Sequence, residues 1–185
     1  PCYNEEEVLD AYYQEMDTVM RGMSEIEFEI IFVDDGSDDN TIKLLKNMSK
    51  KDNRCKYLSF SRNFGKEAAM FAGLEEAKGD YVAIMDADLQ VPPALLLKMY
   101  RILKEEDYDN VATRRTDREG EPLIRSLLSR AFYKCVNKVT EVKLVSGARD
   151  YRLMKRRMVD AVLQVGEKNR FSKGIFEWVG FKTSG

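Results

Sequence analysis

Short apolar runs that stop abruptly at charged clusters constrain this chain most. Phe28–Val33 (FEIIFV) ends on Asp34, Asp35, Gly36 and Ser37. Tyr81–Met85 (YVAIM) ends on Asp86, Ala87 and Asp88, with Gln90 close behind, and Asn110–Thr113 ends on Arg114 and Arg115. Lys56–Phe60 (KYLSF) is a further run of strand length. Helical stretches lie between them. Asp38–Thr41 starts one that carries Leu44, Leu45 and Met48, Glu67–Ala77 is rich in small residues, and Pro92–Pro93 opens one that runs to about Glu106. Asn4 stands where it can cap a helix opening with Glu5, Glu6 and Glu7. Strand and helix in alternation predict an α/β fold, a mostly parallel sheet with helices on both faces. Ligands of such sheets collect at the carboxyl ends of the strands. The pairs Asp34–Asp35, Asp86–Asp88 and Arg114–Arg115 are therefore expected on one rim.

Composition narrows the chemistry. Residues 114–157 hold 13 Lys or Arg against 5 Asp or Glu, within a chain whose formal net charge is -2. An acidic first part and a basic later part suggest separate duties, the basic part meeting an anion such as a phosphate or an acidic membrane surface. Residues 122–139 have amphipathic helical spacing, with Arg130, Lys134 and Lys138 in line. That pattern suits a surface helix packed on the core and equally a helix lying on an anionic membrane. The three cysteines form no CxxC pair, which points to a reducing compartment. No apolar run reaches the ~18 residues of a membrane span. The chain contains no His, so a general base must be a carboxylate, a Lys or a Tyr.

Asp86-Ala87-Asp88-Leu89-Gln90 admits three readings: a cation site, an acid and base pair, or a solvated turn. In a continuing strand Asp86, Asp88 and Gln90 would share one face, and three hard oxygen donors suit magnesium or manganese. Such a cation neutralises a departing diphosphate. A phosphate monoester acceptor needs no base, since its second pKa is about 6, and this suits a chain without His. Asp34 or Asp35 could accept hydrogen bonds from a nucleobase or ribose, and turn chemistry is the plainer role for the other acids of that stretch. Asp150, the acid within the Arg149–Arg157 cluster, is open to pairing with arginine or to a catalytic role.

The stretches PCYNEEE (1–7), VDDGSDDNT (33–41), SRNFGKEAAMFAGLEEAKGDYVAIMDADLQVPP (61–93) and GARDYRLMKRRMVDAV (147–162) together resemble a family 2 glycosyltransferase. The resemblance is greatest to enzymes that glycosylate polyprenyl phosphates, the bactoprenol glucosyltransferases and dolichol-phosphate mannose synthases. It implies a GT-A fold and inverting transfer of a hexose from a nucleotide sugar, with UDP-glucose as the favoured donor, onto a polyprenyl phosphate. It places the nucleotide at Pro1, Tyr3, Glu5, Asp34, Asp35, Lys66 and Asp86. A magnesium or manganese ion falls to Asp86, Asp88 and Gln90, and catalytic roles to Asp86, Asp88 and Asp150. The acceptor phosphate is expected at Arg114, Arg125, Ser129, Arg130, Arg152, Arg170 and Lys173. It divides one catalytic domain, 1–185, into a donor and metal half (1–113) and a basic acceptor half (114–185). Family members carry an apolar strand ahead of the motif at Pro1–Asn4 and continue into membrane helices. The chain is thus expected to be the part of a membrane-anchored protein that works at the cytoplasmic membrane face, and a homo-oligomer is compatible with it.

Two rivals follow from the same residues. One is a family 2 enzyme that extends a polysaccharide hydroxyl, with Asp150 as general base. The other is a nucleic-acid-binding module built on the basic region. It is disfavoured because the acidic rim repels a polyanion and the basic residues lack interleaved stacking groups.

Overall fold

A computed structural model describes residues 1–114, 148–165 and 183–184, with side chains for 1–113 and 151–165. Helix α1 (Leu9–Gly22) is followed by β1 (Ile30–Asp34), α2 (Thr41–Lys51), β2 (Cys55–Ser59), α3 (Lys66–Glu76) and β3 (Tyr81–Ile84). Then come α4 (Leu95–Glu105), β4 (Asn110–Arg114), β5 (Ala148–Lys155), α5 (Arg156–Val165) and the short β6 (Thr183–Ser184). The expected alternation is present, and each expected strand lies within two residues of its predicted bounds.

β1 and β2 pair in parallel, Ile30 opposite Cys55 through Asp34 opposite Ser59. A second group runs β3-β5-β4-β6. β5 is antiparallel to both neighbours, so β3 and β4 point the same way, and β6 is parallel to β4. Helices cover both faces, as two buried clusters show. Tyr151 and Leu153 of β5 pack with Val111, with Leu96, Met99 and Leu103 of α4, and with Leu9, Tyr12 and Met16 of α1. Met154, on the opposite face, packs with Val82, Ile84, Met70 and Leu74 of α3, and Met158, Val159 and Val162 of α5. Alternation along β5 thus feeds two cores. Arg156 seals the turn into β3. Its guanidinium donates to the carbonyls of Ala77 and Gly79, at 2.9 Å and 2.6 Å.

Between β1 and β3 lies a cavity of about 670 Å³, lined by both strands, α3, α1 and α4. Among the described residues each of these strands is paired on its far edge alone, except where Cys2 joins β1. Cys2 enters in parallel opposite Asp34, donating its N–H to Val33 O at 2.8 Å. The small residues of α3 allow close approach to β1: Ala69 is buried, and a Cβ on Gly73 would stand 3.4 Å from Val33 Cγ2.

Candidate active site

The structure corrects two local expectations. Asn4 does not cap α1, which begins at Leu9 after a turn. Asn4 instead adopts a left-handed conformation, φ 54°, which Asn tolerates well. Its N–H donates to Ser37 Oγ at 2.9 Å, and its Oδ1 accepts from Asp38 N at 2.9 Å. The second correction concerns the acids after β3. That strand stops at Ile84, so Asp86, Asp88 and Gln90 sit in a turn and strand alternation does not order them. Ala87 is buried, Asp88 Oδ1 accepts the Gln90 N–H at 3.0 Å, and Leu89 is left-handed at φ 56°. A left-handed Leu is unusual and stores strain of the kind found at functional turns.

The predicted rim exists. Asn4 and Glu5 are stitched to the segment after β1, the Glu5 N–H donating to Thr41 Oγ1 at 2.8 Å. Asp34 and Asp35 are both buried. Asp34 accepts from Ser37 N at 3.2 Å and Ser59 Oγ at 2.9 Å. Asp35 accepts from Phe64 N at 2.7 Å and from Gly65 N at 2.9 Å. Both acids therefore spend acceptor capacity on the protein itself. Lys66, the next residue, bridges to the third strand end, its Nζ 2.7 Å from Asp86 Oδ2.

Register places the other candidates. Ile84 and Ala112 both stand opposite Arg152. Asp86 lies in the turn two residues past Ile84, Arg114 lies two residues further along β4, opposite Ala148 across a register shift, and Asp150 lies two residues back along β5. All three therefore reach the same end of the sheet. Arg152 is buried beneath that end. Arg125, Ser129, Arg130, Arg170 and Lys173, and the amphipathic stretch 122–139, lie outside the described residues, as do the side chains of Arg114 and Asp150.

The electrostatics of the rim suit a cation. Burial raises the Glu5 carboxyl above its ordinary range, and the charges of Asp88 and Asp86 raise it further. Negative charge is concentrated there. Among the described residues no group of three His, Cys, Asp or Glu already forms a metal cage. Two carboxylates with an amide oxygen still fit magnesium or manganese, since such ions keep waters and substrate oxygens as ligands.

Phe64 and Gly65 have no role in the sequence reading. Arg62 stacks over the Phe64 ring at 4.6 Å, and Phe64 is 52% exposed at the rim. Gly65 has φ 95°, and Gly36, at φ 71°, lies so close to Arg62 that a Cβ would meet its carbonyl carbon at 2.4 Å. The available signal is the glycine just ahead of the Lys66 helix, which marks a tight entry.

The profile of Glycosyl transferase family 2 matches residues 1–163. The chain belongs to this family. It is 45% identical over 181 residues to the putative glycosyltransferase CsbB of Bacillus subtilis, covering 98% of this chain and 54% of that protein. It is 37% identical over 187 residues to the bactoprenol glucosyl transferase of Shigella phage SfV, covering 99% of this chain and 59% of that one. The chain thus spans little more than half the length of these relatives. Among solved structures, S. aureus TarS residues 1–349 in complex with UDP superposes with a TM-score of 0.64 at 17% identity, over 100% of this chain and 55% of that one. Glucosyl-3-phosphoglycerate synthase from Mycobacterium tuberculosis, in complex with Mn2+, UDP-glucose and phosphoglyceric acid, gives 0.54 at 21% identity, over 87% and 56%. The fold of this family 2 chain is GT-A, as the sequence implies.

Proposed function

We propose that this chain is the catalytic part of an inverting glycosyltransferase that moves a hexose, glucose from UDP-glucose, onto a polyprenyl phosphate at the cytoplasmic membrane face. The observation that carries it is the acidic turn at Asp86 and Asp88, set at the strand ends beside Glu5 and Lys66. The bactoprenol glucosyl transferase named among the relatives supports the acceptor, and the structure with UDP-glucose and Mn2+ supports the donor and the ion.

Pro1, Tyr3, Glu5, Asp34 and Asp35 hold the nucleoside, and Lys66 and Asp86 face its diphosphate. Asp86, Asp88 and Gln90 would hold magnesium or manganese, which supplies positive charge against the leaving diphosphate. The acceptor phosphate oxygen attacks the anomeric carbon as the bond from that carbon to the diphosphate oxygen breaks. The electron pair leaves with UDP and the configuration inverts. The acceptor arrives ionised, since a phosphate monoester has a second pKa of about 6, so no proton has to be removed. Residues 1–113 form the donor half. Residues 114–185 form the acceptor half, with Arg114 at the strand end, Arg152 buried beneath it, and Arg125, Ser129, Arg130, Arg170 and Lys173 completing the phosphate site. No helix among the described residues is long and apolar enough to cross a membrane.

The test offers labelled UDP-glucose with Mn2+ to wild type and Asp88→Ala, with polyprenyl phosphate and a soluble saccharide as parallel acceptors. Transfer to the lipid, lost in Asp88→Ala with an unchanged melting curve, is expected. Normal turnover by the variant would sink the role of the acidic turn. Transfer to the saccharide alone would replace the lipid acceptor by a hydroxyl, with Asp150 as its base.

A further inference from the structure

Lys66 occupies an unfavourable place for a cation. It is the first residue of α3, where the positive end of the helix dipole disfavours an ammonium and favours an anion. Packing does not demand it either, because its side chain is 43% exposed. Its ammonium pairs with Asp86, 2.7 Å away, whose own side chain is 33% exposed. The backbone beneath Lys66 is fixed: buried Asp35 takes the N–H groups of Phe64 and Gly65, and Gly36 abuts Arg62. A rigid base thus carries a flexible four-carbon arm. The arm ends on a carboxylate that the donor site needs for a cation.

We propose that Lys66 is a positioning residue which holds Asp86 until a divalent cation replaces it and then swings onto the diphosphate, so that cation and nucleotide bind as a pair. This rests on the donor-site reading above. A cation on Asp86 repels the ammonium. A diphosphate on that cation attracts it, and the first turn of α3 favours the same anion. In the wild type the cation alone must displace Lys66, whereas cation and nucleotide together give Lys66 a new partner. Each ligand therefore raises the affinity for the other, and by linkage the factor is the same in both directions.

The experiment measures Mn2+ binding to the full chain by the electron paramagnetic resonance signal of the free ion, with and without UDP, in wild type, Lys66→Met and Lys66→Arg. Lys66→Met is expected to bind Mn2+ alone more tightly than wild type and UDP with Mn2+ more weakly, cutting the mutual enhancement by about fivefold or more. Lys66→Arg keeps a cation on the same arm and is expected to retain most of the enhancement. Thermal melting of both variants in buffer reports the fold, and an exposed side chain is expected to leave it intact. Wild type that binds both ligands while Lys66→Met shows unchanged Mn2+ affinity and unchanged enhancement overturns the role of Lys66 alone. Wild type that binds neither Mn2+ nor UDP overturns the donor-site reading and this inference with it.

Discussion

Asp35 follows the last residue of β1 and accepts the backbone N–H of Gly65, 30 residues later in the chain, at 2.9 Å. The same carboxylate takes the Phe64 N–H at 2.7 Å and is 4% exposed. It therefore fixes the entry to α3 and the position of Lys66. Replacing it by Ala leaves two N–H groups without their acceptor, and hydrogen bonds to a charged group contribute about 1.5–3 kcal/mol. Asp35→Ala is expected to lower unfolding stability by about 2–3 kcal/mol and to weaken UDP binding. Asp35→Asn keeps one acceptor oxygen and should lose less of both. Urea unfolding and UDP titration on the same preparations check this; a variant as stable as wild type would remove Asp35 from the structural account.

Acid should loosen the α1–α2 side of the molecule. Asp52 accepts from Arg54 Nε at 3.0 Å and Nη2 at 2.7 Å, and from the Tyr13 hydroxyl at 2.7 Å. The Arg54 hydrogen bonds, with that of Tyr13, hold its carboxyl well below the ordinary range. Asp17, which accepts from the same Arg54 Nη2 at 2.8 Å, is also lowered, chiefly by that contact. A carboxyl lowered in the folded state contributes stability above its unfolded pKa of about 3.9 and loses it as pH falls toward the folded value. Stability is therefore expected to decline from about pH 4 downward. Asp52→Asn should be less stable than wild type at pH 7 and show a shallower acid decline. Urea midpoints from pH 7 to pH 2.5 read both effects, and parallel curves for the two proteins would contradict the assignment.

The alternation of strands and helices is legible in the sequence because β1 and β3 are apolar runs that end in polar residues and helical stretches separate the shorter runs of β2 and β4. β5 is not legible in this way. Its sequence, ARDYRLMK, carries four charged residues, yet Tyr151, Arg152, Leu153 and Met154 are all buried because β3 and β4 flank it and helices cover both faces. Central position overrides the usual polar and apolar alternation. At the site, the acidic clusters are legible, but the turn that carries Asp88 is hidden, since Leu89 is not a residue that signals a left-handed backbone. The dependence of Lys66 on Asp35 is hidden too, because it joins segments about 30 residues apart through backbone N–H groups that no side-chain pattern marks.

Glu5 gives the reverse pH signature. Burial raises its carboxyl first, and the charges of Asp88 and Asp86 add to the effect. A carboxyl raised in the folded state favours the protonated form, so its ionisation costs stability once pH rises through the raised value and costs nothing below the unfolded pKa of about 4.3. Glu5→Gln keeps the N–H that donates to Thr41 Oγ1 and removes the charge. The variant is expected to melt higher than wild type at pH 7 and at the same temperature at pH 3.5. Added Mg2+ or Mn2+, by neutralising Asp86 and Asp88, should narrow the gap at pH 7. Melting curves at the two pH values, with and without the ion, decide it. A Glu5→Gln variant that melts below wild type at pH 7 would show that the acidic cluster does not carry the repulsion inferred for the site.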